Sequence, residues 1–206
     1  MNAQAQCFTA ELMSKAFEKY RVVHLSNVSK SNAGVTLSWK DVAGVFENLS
    51  PADKESWCIE TDHGTQNGEL TPQSFLVPKR TCHRAYCSFL VQKDREIYDK
   101  TQARLPVAEL PKVKWSYEPA LWMFFGRNPL GSEKLPGRPD HTDSISTDGT
   151  WHFQLSGTKT WTIRPSEELL RHMSSVMGEA EFRDWHASSK IEITCRQGDV
   201  LIIKYV

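Results

Sequence analysis

The sequence predicts a mainly β domain with flanking helices. Two observations lead there. Residues 116–206 carry short apolar or alternating runs punctuated by Gly, Pro and Ser/Asp turns, a density that suggests a β-barrel or sandwich. Helix-period stretches are largely confined to residues before 105 and to one segment around residue 170. The composition agrees, since 39% apolar and 24% charged residues over 206 positions suffice to bury a sizeable core.

The same arithmetic removes several classes of function. Lys plus Arg is 25 and Asp plus Glu is 25, so the chain lacks the basic excess of a polyanion binder, and nucleic acid is a poor fit as partner. No apolar run approaches the roughly 20 residues of a membrane span. Met1–Gln6 is polar and shows no signal-peptide core. Five scattered cysteines argue against a disulfide scaffold and for a reducing, intracellular compartment, cytoplasmic or nuclear. Seven Trp and nine Phe are a rich aromatic supply, mostly explained by core packing.

The elements follow in order. Phe8, Leu12, Met13, Ala16, Phe17 and Tyr20 recur at helical spacing, so residues 9–19 are predicted helical. Arg21–Leu25 is a short β-branched strand, and 27–34 a Ser/Asn/Gly loop. Ser38 caps a helix in which Val42, Val45, Phe46 and Leu49 share a face. Ser50-Pro51 starts a short second one. Residues 57–61, 74–77 and 86–91 read as strands, 62–73 as an exposed loop and 93–105 as a helix ended by Pro106. Residues 110–114 read as a linker, and 1–115 as a mixed α/β N-terminal part packing on a barrel core of 116–206.

In that second part, Ala120–Gly126 is a continuous apolar run, expected to be buried on both faces. A Gly/Pro loop, 127–139, follows. Residues 150–155 and 159–164 alternate around Ser156-Gly157-Thr158 and are predicted to pair as a hairpin. Ser166 caps a helix that Gly178 can end. Residues 190–195 and 200–205 are strands joined through Gln197-Gly198-Asp199.

Chemistry concentrates at His141-Thr142-Asp143. An imidazole and a carboxylate two residues apart can form two corners of a facial triad that holds Fe(II) and leaves open positions. Alone, such a pair is also what a polar loop with a His–Asp hydrogen bond looks like. Its surroundings are more specific. On the first strand of the predicted hairpin, Thr150, His152 and Gln154 share one face, with Trp151, Phe153 and Leu155 on the other. On the second, Lys159, Trp161 and Ile163 share a face. A lysine facing a barrel interior is costly to bury without an anion, which a dicarboxylic co-substrate would supply.

From about Leu121 to Val206 the chain resembles the JmjC and related cupin-like 2-oxoglutarate oxygenases. The matching residues are His141 and Asp143, the run Gln154–Trp161 as the Q-x-x-G-x-K-x-W hairpin, Ile163-Arg164-Pro165, and Gly198–Ile203 as the G-D-V-L-x-I turn and strand. The resemblance implies a double-stranded β-helix of jelly-roll, cupin-like type. It implies Fe(II) at His141 and Asp143, Lys159 pairing with the far carboxylate of 2-oxoglutarate, and Thr150 against that co-substrate. The implied activity is a dioxygenase (oxidoreductase) that hydroxylates a protein side chain or demethylates lysine, with a protein or peptide as substrate.

One departure matters. The family's second metal histidine follows the G-D-V-L-x-I strand by several residues, whereas this sequence stops at Val206. The expectation is therefore a C-terminally incomplete barrel lacking its last strands and the third metal ligand. The intact gene product is expected to be the oxygenase. The alternative for this chain is a catalytically inactive cupin-fold fragment or pseudoenzyme acting in binding. His152 and His186 are the candidates to replace the missing ligand, though a structural or surface role suits each better. Cys82, His83, Cys87 and Cys58 match no common zinc spacing. Trp122, Phe124 and Phe125 read as core, and Arg127 and Asn128 as substrate contacts or a loop cap.

Overall fold

The computed structural model describes residues 10–28, 37–60, 70–76, 84–105, 118–128, 133–141, 143 and 147–204. In chain order the elements are α1 (Ala10–Lys19), β1 (Val22–Leu25), α2 (Trp39–Asn48), α3 (Pro51–Lys54), β2 (Cys58–Ile59), α4 (Pro72–Leu76), β3 (Ala85–Val91) and α5 (Arg95–Gln102). There follow β4 (Leu121–Arg127), β5 (Gly149–Phe153), β6 (Thr158–Ile163), α6 (Glu167–Val176), α7 (Glu179–Ser188), β7 (Ile191–Arg196) and β8 (Val200–Lys204). The chain is mixed α/β. Its eight described strands pair antiparallel in three small sheets, β1-β8-β5, β2-β3-β4 and β6-β7, and none of these closes into a barrel among the described residues. No described helix is long and apolar enough to cross a membrane.

The chain divides into two compact units, 32–141, and 1–31 with 142–206, where the sequence placed a boundary after 115. In the unit 32–141, the α2 start is set by chemistry legible in the sequence. Ser38 Oγ accepts from Asp41 N at 3.2 Å and Asp41 Oδ2 accepts from Ser38 N at 2.8 Å, a capping box. Ser50 caps α3 with Pro51 in its first turn. One face of β2-β3-β4 buries Cys87, Phe89 and Val91. Phe125 of β4, opposite Cys87, shares that face, and against it lie Trp39 and Phe75, with Trp39 edge-on to the Phe75 and Phe125 rings at 5.7 Å.

Asp53 organises the chain that follows this sheet. It is 2% exposed, and its carboxylate accepts the backbone N–H groups of Gln92 (3.2 Å), Lys93 (3.0 Å) and Asp94 (3.0 Å). Asp94 in turn caps α5 by accepting from Ile97 N.

In the unit 1–31 with 142–206, β8 is the central strand. It pairs β1 from Val22↔Ile203 to Leu25↔Val200, and β5 from Gly149↔Lys204 to Phe153↔Val200. Val200, Leu201 and Ile202 are almost wholly buried. Gly149 is required at the start of β5, because a Cβ there would stand 2.4 Å from the Ile203 carbonyl oxygen. Asp199, 5% exposed, fixes the approach to β8. Its carboxylate accepts from Arg196 N (2.9 Å), Asn27 N (2.9 Å) and His24 Nε2 (3.1 Å). Burial pushes its pKa up, but these hydrogen bonds outweigh that and leave it below the usual 3.8.

Four expectations are corrected. Residues 150–155 and 159–164 do not pair with each other, since β5 pairs β8 and β6 pairs β7. The reason is that residues 154–157 bond to 197–199 instead. Gly198 N donates to Gln154 O (2.8 Å), Gln154 N to Asp199 O (3.0 Å) and Gln197 N to Gly157 O (3.1 Å). Gly157 at φ 67° and Gly198 at φ 88° make both bends accessible. Of the run 74–77, the described residues Ser74–Leu76 are not strand but lie in α4, started by Thr71 and Pro72, while Val77 lies outside the described residues. Period cannot separate helix from strand over so short an apolar run. Residues 183–186, which the sequence places in a connecting segment before the 190–195 strand, lie in α7, whose cap Gly178 offers no side-chain signal. Finally, β4 is not buried on both faces, because Trp122 is 47% exposed.

Two substitutions test these anchors. Asp53→Ala should lower unfolding free energy by about 2 kcal/mol, since it removes a buried carboxylate that three part-buried backbone donors share. Urea titration should show a lower midpoint at unchanged slope; an unchanged midpoint refutes the role. Asp199→Asn should cost about 2 kcal/mol at neutral pH. A depressed carboxylate pKa stabilises above its unfolded value of 3.8 and loses that contribution as pH falls through the folded one. The wild-type advantage over Asp199→Asn should therefore vanish only below about pH 4.

Candidate functional site

The site in the unit 1–31 with 142–206 follows from register. Residues directly opposite in an antiparallel pair share a face. Thr150↔Ile203↔Val22 and His152↔Leu201↔His24 thus form one face of β1-β8-β5. On the two-stranded ribbon, Lys159↔Cys195, Trp161↔Ile193 and Ile163↔Ile191 share a face, with Thr158, Thr160 and Thr162 exposed on the other. The two faces meet at His152 and Trp161, whose ring centroids are 4.3 Å apart.

Around that contact the predicted co-substrate residues converge. Thr150 Oγ1 lies 2.9 Å from His152 Nε2. The Lys159 ammonium sits 3.7 Å from the centroid of the Trp161 ring. Burial first, and the Lys159 charge second, depress the His152 pKa to about 4, with Asp143 pulling the other way. His152 is therefore a neutral imidazole at physiological pH. Cys195, opposite Lys159, is 2% exposed, and burial raises its thiol pKa, so it is a packing group and not a nucleophile.

His141 closes the unit 32–141 and is exposed. Its Nδ1 is 2.6 Å from Pro139 O. A carbonyl only accepts, so Nδ1 carries the proton and the lone pair of the neutral ring is on Nε2. That is the tautomer a metal ligand needs, held in the manner of an outer-sphere support. The segment leading to it is strapped down. Arg84 donates to Glu133 Oε2 (3.2 Å) and Lys134 O (2.5 Å), and Asn128 Nδ2 to Glu133 O (2.6 Å). Arg138 Nε pairs at 3.3 Å with Glu60, which is 7% exposed and accepts from Ser88 Oγ at 2.5 Å.

The remaining candidates separate. Arg127 lies over the Trp39 ring at 4.5 Å and the Phe75 ring at 5.4 Å, so its side chain packs on core aromatics. Asn128 is the loop cap described above. Cys58, opposite Ser88, and Cys87 take opposite faces of their sheet, while Cys82 and His83 lie outside the described residues. His186 stacks on Phe182 within α7.

No family model matches the chain, and neither a curated protein nor a solved structure does. Function therefore rests on residues alone. His141 and Asp143 provide an imidazole with its lone pair on Nε2 and a carboxylate, a donor pair that suits Fe(II). Among the described residues no group of three or more His, Cys, Asp or Glu is gathered to hold a metal ion. Residues that sequence reasoning passed over are Gly149, Glu60 with Arg138, and His24. A G-T-W-H start to a strand was the visible hint for Gly149. A lone Glu and a distant Arg give none.

The His152 assignment makes a pH prediction. Its folded pKa, about 4, is below the ordinary histidine value of 6.5, so between those values the unfolded chain binds more protons. Stability should therefore fall as pH drops from 6.5 to 4, by up to about 3 kcal/mol. His152→Gln should flatten that window in urea titrations across pH. An equally steep loss in the variant places the acid sensitivity elsewhere.

Proposed function

We propose that the chain is an Fe(II)- and 2-oxoglutarate-dependent oxygenase of JmjC, cupin-like type, built on a jelly-roll double-stranded β-helix. The observation that carries this reading is that Thr150 and His152 on β5 and Lys159 and Trp161 on β6 come together through the His152–Trp161 contact. A part-buried cation beside polar groups suits a small dianion.

In this reading His141 Nε2 and the Asp143 carboxylate hold the iron. Lys159 receives the far carboxylate of 2-oxoglutarate, and the Thr150 hydroxyl offers it a hydrogen bond. His152, neutral and packed on Trp161, adds a polar wall without a second positive charge. The Glu60–Arg138 pair fastens the segment that ends at His141, and the Pro139 carbonyl fixes the proton on its Nδ1. The chemistry supplied when the group is bound is oxidation of a substrate C–H bond, coupled to conversion of 2-oxoglutarate and O₂ to succinate and CO₂. The substrate class is a protein or peptide side chain, hydroxylated or, at methyl-lysine, demethylated.

The test is succinate formation by the full chain with Fe(II), ascorbate and 2-oxoglutarate. Turnover should be abolished in His141→Ala. Lys159→Ala should weaken 2-oxoglutarate by at least about tenfold, as loss of a charge-assisted pair requires. Binding that depends on Lys159 without succinate would favour the binding-only reading. Affinity unchanged in Lys159→Ala would remove the co-substrate assignment.

A further inference from the structure

We propose that Trp161 is the positioning residue for Lys159, holding its ammonium on the indole face at the place where a ligand's far carboxylate is received. The inference rests on the co-substrate reading and adds a second residue to it.

Geometry carries it. Lys159 and Trp161 are two apart on β6, so both project from one face. Lysine has a flexible four-carbon stem that reaches solvent readily from a two-stranded ribbon. Here its Nζ instead stands 3.7 Å from the indole centroid, a cation–π contact. The indole is itself fixed, because the His152 ring packs on it at 4.3 Å and Ile193 is its cross-strand neighbour. His152 in turn is tied to Thr150 at 2.9 Å. A chain of contacts thus runs from β5 through His152 and Trp161 to the ammonium. Holding a lysine before its ligand arrives removes ordering cost from binding.

The test separates the far carboxylate from the rest of the ligand. 2-Oxobutyrate is 2-oxoglutarate without that carboxylate. Calorimetry with Mn(II) and the full chain should show Trp161→Leu weakening 2-oxoglutarate about tenfold, near 1.4 kcal/mol. 2-Oxobutyrate should be unchanged within about twofold, and Trp161→Phe, which keeps a π face, should stay within about threefold of wild type on both acids. In a Lys159→Ala background, Trp161→Leu should add nothing, since the two act as one unit. Equal weakening of both acids by Trp161→Leu, or a penalty that persists without Lys159, overturns the inference. Wild type binding the two acids equally would instead remove the co-substrate reading beneath it. A measurement on the unmutated chain guards against a variant that does not fold. With ¹³Cε-lysine, the Lys159 resonance, assigned by its loss in Lys159→Arg, should lie upfield of exposed lysines and move downfield with 2-oxoglutarate. A resonance among the exposed lysines overturns it.

Discussion

One buried carboxylate, that of Asp199, organises the unit formed by 1–31 with 142–206. It takes N–H donors from three places in the sequence, Arg196, Asn27 and His24. A carboxylate removed from water is costly, and three charge-assisted bonds offset that cost only when all three donors are in place. That all-or-none requirement joins the β7–β8 turn to the end of β1. The neighbouring Gly198 extends the clamp, accepting from Val28 N and donating to Gln154 O. With β1 on one side and β5 on the other, the apolar strand β8 becomes central. The chain leaving β5 is then carried over to a second sheet, and it is this crossing that sets His152 against Trp161.

The sequence was legible where the signal is local. Ser38, Ser50 and Ser166, read as caps, each cap the helix that follows, because capping is a bond between residues three apart. The strands β1, β3, β7 and β8 fall where β-branched and apolar runs lie. Pairing was not legible. The Ser156-Gly157-Thr158 turn has hairpin composition, yet its flanks find partners some forty residues away, and nothing within the turn encodes the competition that β8 wins. The helix α7 was hidden for the opposite reason. Its Gly178 start carries no side-chain cap and none of its residues is buried, so neither a start signal nor a core-facing stripe marks it.

The site divides along the same line. Strand parity placed Thr150 with His152, and Lys159 with Trp161, because alternation is a property of each strand by itself. What parity cannot say is which face meets which. The neutrality of His152 depends on burial by an opposed sheet and on a cation from another strand, both non-local. The His141 strap is equally non-local. A glutamate at position 60 and an arginine at 138 have no sequence pattern between them, yet they fasten the segment whose last residue presents Nε2.

In the proposed reading, these constraints favour one charge state for the co-substrate. The indole of Trp161 has an ammonium over its face and a neutral imidazole packed against it. If both neighbours were cationic, the ring could not favour them enough to offset their repulsion at close range in a part-buried site. Burial resolves this by keeping His152 neutral, which leaves the positive charge on Lys159. In the proposed reading, a far carboxylate placed there would offset the Lys159 charge, which after burial most opposes His152 protonation. Occupancy of the proposed site and the proton affinity of His152 would then be coupled, each shifting the other by linkage. A monoanion that stops short of Lys159 would not engage this coupling, so the electrostatics distinguish ligands by the position of their second charge and not by size alone.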